Sequence, residues 1–536
     1  MERYDLIIIG AGPGGLAAAA KAKECGVESI LLLERNPEAG GILNQCIHDG
    51  FGVERFGEAL SGPEYVARFL PALEQEGITL KCGAMALELT DAPGVRYIDR
   101  FGMHHATCGA LILATGCRER TRGAIAVPGS RPAGVYTAGV VQHLVNIDNI
   151  LPGKRAVILG SGDIGLIMAR RLTLEGMEIA CVLEKLPFCS GLARNVRQCL
   201  QDYDIPLHLS TTVTEIIGEK HLEAVVVTEF DANGKPMPET SRTIPCDTLV
   251  LSVGLIPENE LAKACGIKMD PVTGGALVDG QLMTSVPGIF SCGNGLHVHD
   301  IVDMVSAEAE TAAENAAKYI KEQKRAAESI ALSAKPGVRY VLPRTIVPET
   351  KTTLSLRVSA PARMQTILVE RDGEVVAKKS LRRLSPAEMI RIPLPALPLA
   401  GGEVTVSIRQ DAMPEGEEAQ SELTCTVCPN GCALIPVMGE DGSVEIKGAL
   451  CKRGVAFGTA EVTNPMRSLT STLRIEGGAY PLVPVRGLTT LPKAELKGKV
   501  TALRSVKLQA PVKSGDKITA EGMELVISGS MPKVEK

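Results

Sequence analysis

Four cysteines stand in the run Leu423-Thr-Cys425-Thr-Val-Cys428-Pro-Asn-Gly-Cys432 and at Cys451, spaced C-x2-C-x3-C-x18-C. A tight triplet with a distant fourth thiolate can surround a 4Fe-4S cubane, each cysteine binding one iron. The same four sulfurs could hold zinc tetrahedrally. Structural zinc sites usually present two knuckles of paired cysteines, whereas here the fourth stands alone, which favours iron. Elsewhere the thiols are solitary: Cys46 has no near neighbour, and Cys181, Cys189 and Cys199 lack CxxC spacing. A dithiol relay is therefore not expected, and Cys46 reads as either a reactive or a packed thiol. His297 and His299, in Gly295-Leu-His-Val-His-Asp300, can put two imidazoles on one face of an extended segment, for proton handling or metal ligation. The plainer reading makes them polar residues at a helix entry, with Asp300 as the cap.

A second chemistry is written twice. Asp5-Leu-Ile-Ile-Ile-Gly10-Ala-Gly12-Pro-Gly14-Gly15 and Ala156-Val-Ile-Leu-Gly160-Ser-Gly162-Asp-Ile-Gly165 each lead from an apolar strand through glycines into a predicted helix. In both, an acidic residue, Glu34 or Glu184, closes the next strand 24 positions after the first glycine. Such glycines permit the tight bend and let backbone N–H groups reach a pyrophosphate, and the carboxylate accepts from ribose hydroxyls. Two dinucleotide sites follow. A carboxylate at the ribose repels a 2′-phosphate, so Glu184 favours NADH over NADPH, although the neighbouring Lys185 could accommodate the phosphate.

The elements that must position these groups fill a chain of 536 residues, enough for several domains. A net charge of -5 offers no cationic field, and Trp is absent, so nucleic acid is not an expected partner. Acidic Glu2 and Asp5 before the first apolar stretch argue against a signal segment, and no run is long enough to span a bilayer. A cytoplasmic protein with mostly reduced thiols and no direct membrane insertion is expected. Ala110-Leu-Ile-Leu-Ala-Thr115-Gly116 and Thr248-Leu-Val-Leu-Ser-Val-Gly254 close the two nucleotide units alike, and residues 303–325 carry helical periodicity. Residues 335–420 change to short β-branched runs between prolines, an all-β module of sandwich type, with a linker at 411–422.

Over roughly Met1 to Arg325 the chain resembles the flavoproteins with two dinucleotide-binding domains, the pyridine nucleotide-disulfide oxidoreductase superfamily. The closing run Val286-Pro-Gly-Ile-Phe-Ser-Cys-Gly293-Asn294 carries the resemblance further, with Asn294 where the family usually has Asp. The resemblance implies FAD in the first unit and NAD(P)H in the second. The loop Gly40-Gly41-Ile-Leu-Asn44-Gln45-Cys46-Ile-His48 resembles the place where disulfide reductases carry their cysteine pair, and only Cys46 is present. The cysteine run is similar to the N-terminal 4Fe-4S segment of molybdopterin oxidoreductases. Together with Pro511 to Asp516 it also resembles a small domain family of unassigned function known by its CxxC motif (DUF1667-like). That domain accompanies flavoproteins of anaerobic glycerol-3-phosphate dehydrogenase systems.

The expected fold is α/β: two Rossmann-like domains, a β-sandwich-like module and a small β-rich cysteine-cluster domain. Its divisions fall at 1–122 and 255–330 for FAD, 123–254 for NAD(P), then 335–420 and 421–536. The expected cofactor-binding residues are Gly10, Gly12, Gly14, Gly15, Glu34, Gly41, Thr115, Gly116, Gly293 and Asn294 for FAD, and Gly160, Gly162, Gly165, Glu184 and Gly254 for the nicotinamide dinucleotide. Cys46, His297 and His299 are the catalytic candidates. The leading expectation is an FAD-dependent NAD(P)H oxidoreductase relaying electrons to a cluster on Cys425, Cys428, Cys432 and Cys451. Its partner would be a dehydrogenase subunit of glycerol-3-phosphate type or an electron carrier, and an oligomer is compatible with the sequence. A stand-alone NADH-dependent reductase with a structural zinc domain, or a non-catalytic FAD-containing scaffold, are the alternatives.

Overall fold

Near-continuous apolar strands need cover on both faces, and the first unit of the fold supplies it. Strands β1 (Glu2–Ile9), β2 (Ile30–Glu34) and β3 (Gly102–Leu113) pair in parallel, Ile9 opposite Leu33 and Leu113. Ile289–Ser291 joins the free side of β3, also in parallel. Helix α1 (Pro13–Glu24) packs closely on α2 (Val302–Glu322): a Cβ on Gly14 would lie 3.4 Å from Val305. The computed structural model describes residues 2–534 except 91–92, 324–327, 400–401, 413–422, 429 and 440–442. It divides into two compact units, Met1–Leu43, Val66–Arg118 and Leu255–Glu415 in one, and Asn44–Tyr65, Glu119–Gly254 and Gly416–Lys536 in the other.

The first unit also holds the sandwich. A five-stranded and a three-stranded sheet enclose a core that includes Val341, Leu354, Leu356, Ile367 and Val404, as the β-branched texture predicts. The module begins earlier than expected, at Ile330–Ala334, because Leu332 pairs in parallel with Val404. The helix expected through residue 325 ends at Glu322. The expected linker is described only as far as Ala412, and the rest of it lies outside the described residues.

The second unit is built on a parallel sheet in the order Val135–Thr137, Thr248–Leu251, Arg155–Leu159, Glu178–Leu183, Leu207–His208. Residues 44–65, expected with the FAD domain, belong here. Gln45 donates to the Gly139 carbonyl at 2.8 Å, Asn146 donates to the Gln45 carbonyl at 2.9 Å, and Arg486 pairs with Glu64. The C-terminal region has two parts. A three-stranded sheet (Leu423–Thr424, Ala433–Met438, Val444–Lys447) leads into helix Lys452–Thr463, and a five-stranded sheet with helix Leu496–Leu503 follows.

The second part is bolted to the helix Asp163–Leu174. Leu174 sits in its hydrophobic core, and Arg504 donates to the Leu174 carbonyl at 2.8 Å. Beside this seam Arg467 is forked between Asp202 and Glu461, all three side chains buried. No helix among the described residues is long and apolar enough to cross a membrane.

Removing one partner of a buried ionic network leaves the others uncompensated. Arg467→Ala is expected to lower unfolding free energy in urea by about 3 kcal/mol, far more than Arg474→Ala on the neighbouring strand.

Candidate functional site

The FAD-type turn follows from how β1 ends. Gly10 donates to the Leu33 carbonyl at 2.8 Å while Ala114 donates to the Ile9 carbonyl at 3.0 Å, so three strand ends meet at one edge. A Cβ on Gly10 would stand 2.4 Å from the Ala114 oxygen, and its φ of +100° is one that other residues rarely adopt. Open space lies over Gly12 and Gly116, where an added Cβ would meet nothing within 4 Å. Glu34, buried, accepts from Ala11 N–H at 2.9 Å and Asn36 N–H at 2.8 Å, which aims the turn. Gly41 also passes near Gly12: its Cβ would lie 3.1 Å from the Gly12 Cα.

The second turn repeats the same bonds. Gly160 donates to the Leu183 carbonyl at 2.7 Å, Ser252 to the Leu159 carbonyl at 2.7 Å, and a Cβ on Gly160 would stand 2.1 Å from the Ser252 oxygen. Glu184 accepts from Ser161 N–H at 3.1 Å and Leu186 N–H at 3.0 Å, with the Ser161 and Ser190 hydroxyls at 2.5 and 2.7 Å. A Cβ on Gly165 would lie 2.7 Å from that of Ser252, so the helix packs tight on the strand end. Gly254 has φ +98° where the unit closes. Lys185 Nζ lies 5.3 Å from the centre of the Phe230 ring, a cation–π contact.

The closing motif of the first unit gathers more than the sequence indicated. Glu308 from α2 accepts from Gly293 N–H at 2.7 Å and contacts His297 Nε2 at 2.7 Å, with His299 Nε2 3.5 Å away. Burial opposes the charge on Glu308, and the two histidines more than offset it, holding the carboxyl well below its usual range. Burial pushes His297 down. Asn294 accepts from His299 N–H at 3.0 Å. Asp300 does not cap α2, whose preceding residue, Ile301, leaves it without a side-chain cap. Asp300 instead pairs with Arg357 and accepts from Met389 N–H at 2.6 Å. Arg357, from the sandwich, also donates to the Val298 and Pro386 carbonyls at 3.0 Å each. The sandwich thus clamps the histidine loop.

Ligand atoms of His297, His299 and Glu308 lie within 4.8 Å of one another and could take a divalent cation. Both Nδ1 atoms, however, are buried without a partner, whereas a metal-bound imidazole almost always donates its other N–H. The group reads better as a hydrogen-bonded cluster. Thr115 Oγ1 and Ser291 Oγ are also buried without partners. These unpaired polar atoms and the bare turn at Gly12 and Gly116 fit FAD.

Cys46 is buried, its thiol within 3.6 Å of the Gln142 amide oxygen and pushed up by burial to about 12, a packed rather than a nucleophilic setting. His48 is pushed down to about 4 by burial, against the pull of Asp49. Among the four C-terminal cysteines, Cys425 N–H donates to the Cys432 carbonyl at 2.9 Å, closing the triplet into a turn. Cys451 begins the helix Lys452–Thr463, where the Gly454 N–H, followed by that of Arg453, lowers its thiol. Burial raises Cys425, and the charges of the other three cysteines raise it further, so the four share one neighbourhood. Sequence reasoning missed Glu308 and Arg357, which carry no local motif.

The pyridine nucleotide-disulphide oxidoreductase profile matches residues 4–317, and one described as a protein of unknown function (DUF1667) matches residues 452–528, beyond the cysteine triplet. The chain belongs to the pyridine nucleotide-disulphide oxidoreductase family. It is 26% identical to an opine oxidase subunit of Agrobacterium tumefaciens over 324 residues, 54% of this chain and 61% of that protein. It is 26% identical to thioredoxin reductase of Listeria monocytogenes over 333 residues, 61% of this chain and 97% of that protein. The structure of T. acidophilum thioredoxin reductase matches with a TM-score of 0.49 at 23% identity, covering 59% of this chain and 99% of that one. The chain spans about three-fifths of the length of the opine oxidase subunit and of the hydrogen cyanide synthase subunit HcnB of Pseudomonas aeruginosa.

Gly10→Ala is expected to yield protein without flavin absorbance after purification, since its Cβ would collide with the Ala114 carbonyl. Stability should also report His48. Its folded value near 4 lies below the ordinary 6.5, so the unfolded chain takes up the proton first. The contribution is complete above pH 6.5 and fades as pH falls toward 4. Urea titrations across that window should show a shallower decline for His48→Gln than for the wild type.

Proposed function

We propose that the protein relays electrons between NADH, FAD and a 4Fe-4S cluster held by Cys425, Cys428, Cys432 and Cys451. The observation that carries this reading is the gathering of four thiols, one of them at a helix N-terminus that favours its thiolate. Zinc, the alternative occupant, needs its four sulfurs converging about one ion at roughly 2.3 Å each. The lone fourth cysteine, which belongs to no second paired knuckle, favours the iron-sulfur centre over zinc.

FAD, when bound, exchanges a hydride with nicotinamide and single electrons with iron. The protein's own residues prepare for this exchange. Glu34 and Glu184 fix the two turns by accepting from the Ala11 and Ser161 amides, and their carboxylates would accept from ribose hydroxyls. The Glu184 carboxylate beside the second turn, which would repel a 2′-phosphate, supports NADH over NADPH. Glu308 holds the Gly293 amide and His297 in one hydrogen-bonded group, leaving the Nδ1 atoms of His297 and His299 available to donate or accept a proton. Two relatives, from opine oxidase and from hydrogen cyanide synthase, are named as subunits, which supports a partner for this chain as well. A dehydrogenase of glycerol-3-phosphate type is the partner we propose.

Deleting the C-terminal region would bare Leu174, so serine substitutions make the cleaner test. Cys425→Ser and Cys451→Ser are expected to keep flavin and its anaerobic bleaching by NADH. Reduction of a one-electron acceptor should fall at least tenfold. Unchanged acceptor reduction in both variants would remove the cluster from the route.

A further inference from the structure

The two nucleotide turns share a pattern and differ in how much of the carboxylate is left for a ligand. An ionised carboxylate offers about four lone-pair positions, two on each oxygen. Among the described residues Glu34 uses one on each, for Ala11 N–H on Oε2 and Asn36 N–H on Oε1. One position stays open on either oxygen, a fork that suits two neighbouring ribose hydroxyls. Glu184 is filled instead. Its Oε2 accepts from Ser161 N–H at 3.1 Å and from the Ser161 and Ser190 hydroxyls at 2.5 and 2.7 Å, while Oε1 takes Leu186 N–H at 3.0 Å.

The duplication makes this comparison internal to the chain. Ser161 stands between the first two glycines of its turn, where the first unit has Ala11, and Ser190 stands six positions after its carboxylate, where the first unit has Gly40. Both loops return to their turn at this point: Gly40 N–H donates to the Ala11 carbonyl at 2.8 Å, and Ser190 N–H donates to the Ser161 hydroxyl oxygen at 2.8 Å. The first unit thus has no hydroxyl at either position, and the second has two. Ser161 is fully buried and held at both ends, donating to Glu184 and accepting from Ser190. Ser190 is half-buried, and rotation about its first side-chain bond can turn its hydroxyl from Glu184 to solvent.

We propose that Ser190 is a place-holder for the ribose 2′-hydroxyl of the nicotinamide dinucleotide: it occupies Glu184 in the empty site, swings away as the nucleotide binds and returns as it leaves. This rests on the reading of the second turn as the NAD(H) site. One hydroxyl is exchanged for another of the same size and bonding, so the buried carboxylate is not left short of a donor at either stage. Such a site suits a nucleotide that must enter and leave at each turnover, whereas the open fork of Glu34 suits a cofactor that stays bound.

The test measures binding of NAD+ and of 2′-deoxy-NAD+, which lacks the adenosine 2′-hydroxyl, to the oxidised full-length holoprotein by calorimetry. In the wild type Ser190 refills Glu184 when the ribose hydroxyl is missing, so the two dissociation constants should agree within about threefold. Ser190→Ala and Ser190→Gly, the latter matching Gly40, remove the substitute donor, and the preference for NAD+ should rise at least fivefold over the wild type in both. Flavin content shows that the variants fold. Ser190→Thr keeps the hydroxyl and should keep the wild-type ratio. A smaller rise in Ser190→Ala and Ser190→Gly overturns the proposal, and so does a Ser190→Thr ratio as high as theirs, which would trace the effect to the loop and not to the hydroxyl. Absence of NAD+ binding to the wild type would overturn the reading of the second turn and this proposal with it, whereas NAD+ binding with an unchanged ratio overturns the proposal alone.

Discussion

Each nucleotide turn depends on two backbones passing closer than a side chain allows. Gly10 rides over the Ala114 carbonyl and Gly160 over that of Ser252, and in both units a carboxylate from the next strand takes the amide of the following residue. This arrangement points unsatisfied N–H groups of a helix N-terminus at the edge where strands end, the place where an open parallel sheet binds its ligand. The rest of each unit follows from it. The apolar strands must be buried on both faces to meet there, and the small residues of α1 and α2 allow the helices to lie close.

The sandwich and the C-terminal region serve these units in different ways. Within the first unit, Arg357 binds the loop between the closing motif and α2, so a module without a motif of its own sets the position of His297 and His299. Within the second, the five-stranded sheet takes Leu174 into its core and ties Asp202 to Arg467. The first contact rests on the buried Arg357–Asp300 pair, and the second combines buried apolar area with charges that would be costly to uncover.

What could be read from the sequence was local. The glycine spacing, the acidic residue 24 positions on, the β-branched alternation of the sandwich and the helix before residue 325 all depend on neighbours within one supersecondary unit. What could not be read depends on contacts across longer separations. Asp300 looks like a helix cap until Arg357, 57 residues away, claims it. Glu308 reads as a polar position of an amphipathic helix, and only the fold brings it to Gly293 and His297. The module starts at Ile330 because of a parallel pairing with Val404 that no local pattern encodes, and residues 44–65 join the second unit through Gln45, Asn146 and Arg486.

The central claim is that the four C-terminal thiolates hold iron and sulfide on an electron route that begins at a flavin. Iron, acid-labile sulfide, zinc and flavin measured together on anaerobically purified full-length protein test it most directly. The account predicts about four iron and four sulfide per FAD, falling together in Cys425→Ser. One zinc per chain with neither iron nor sulfide would contradict it.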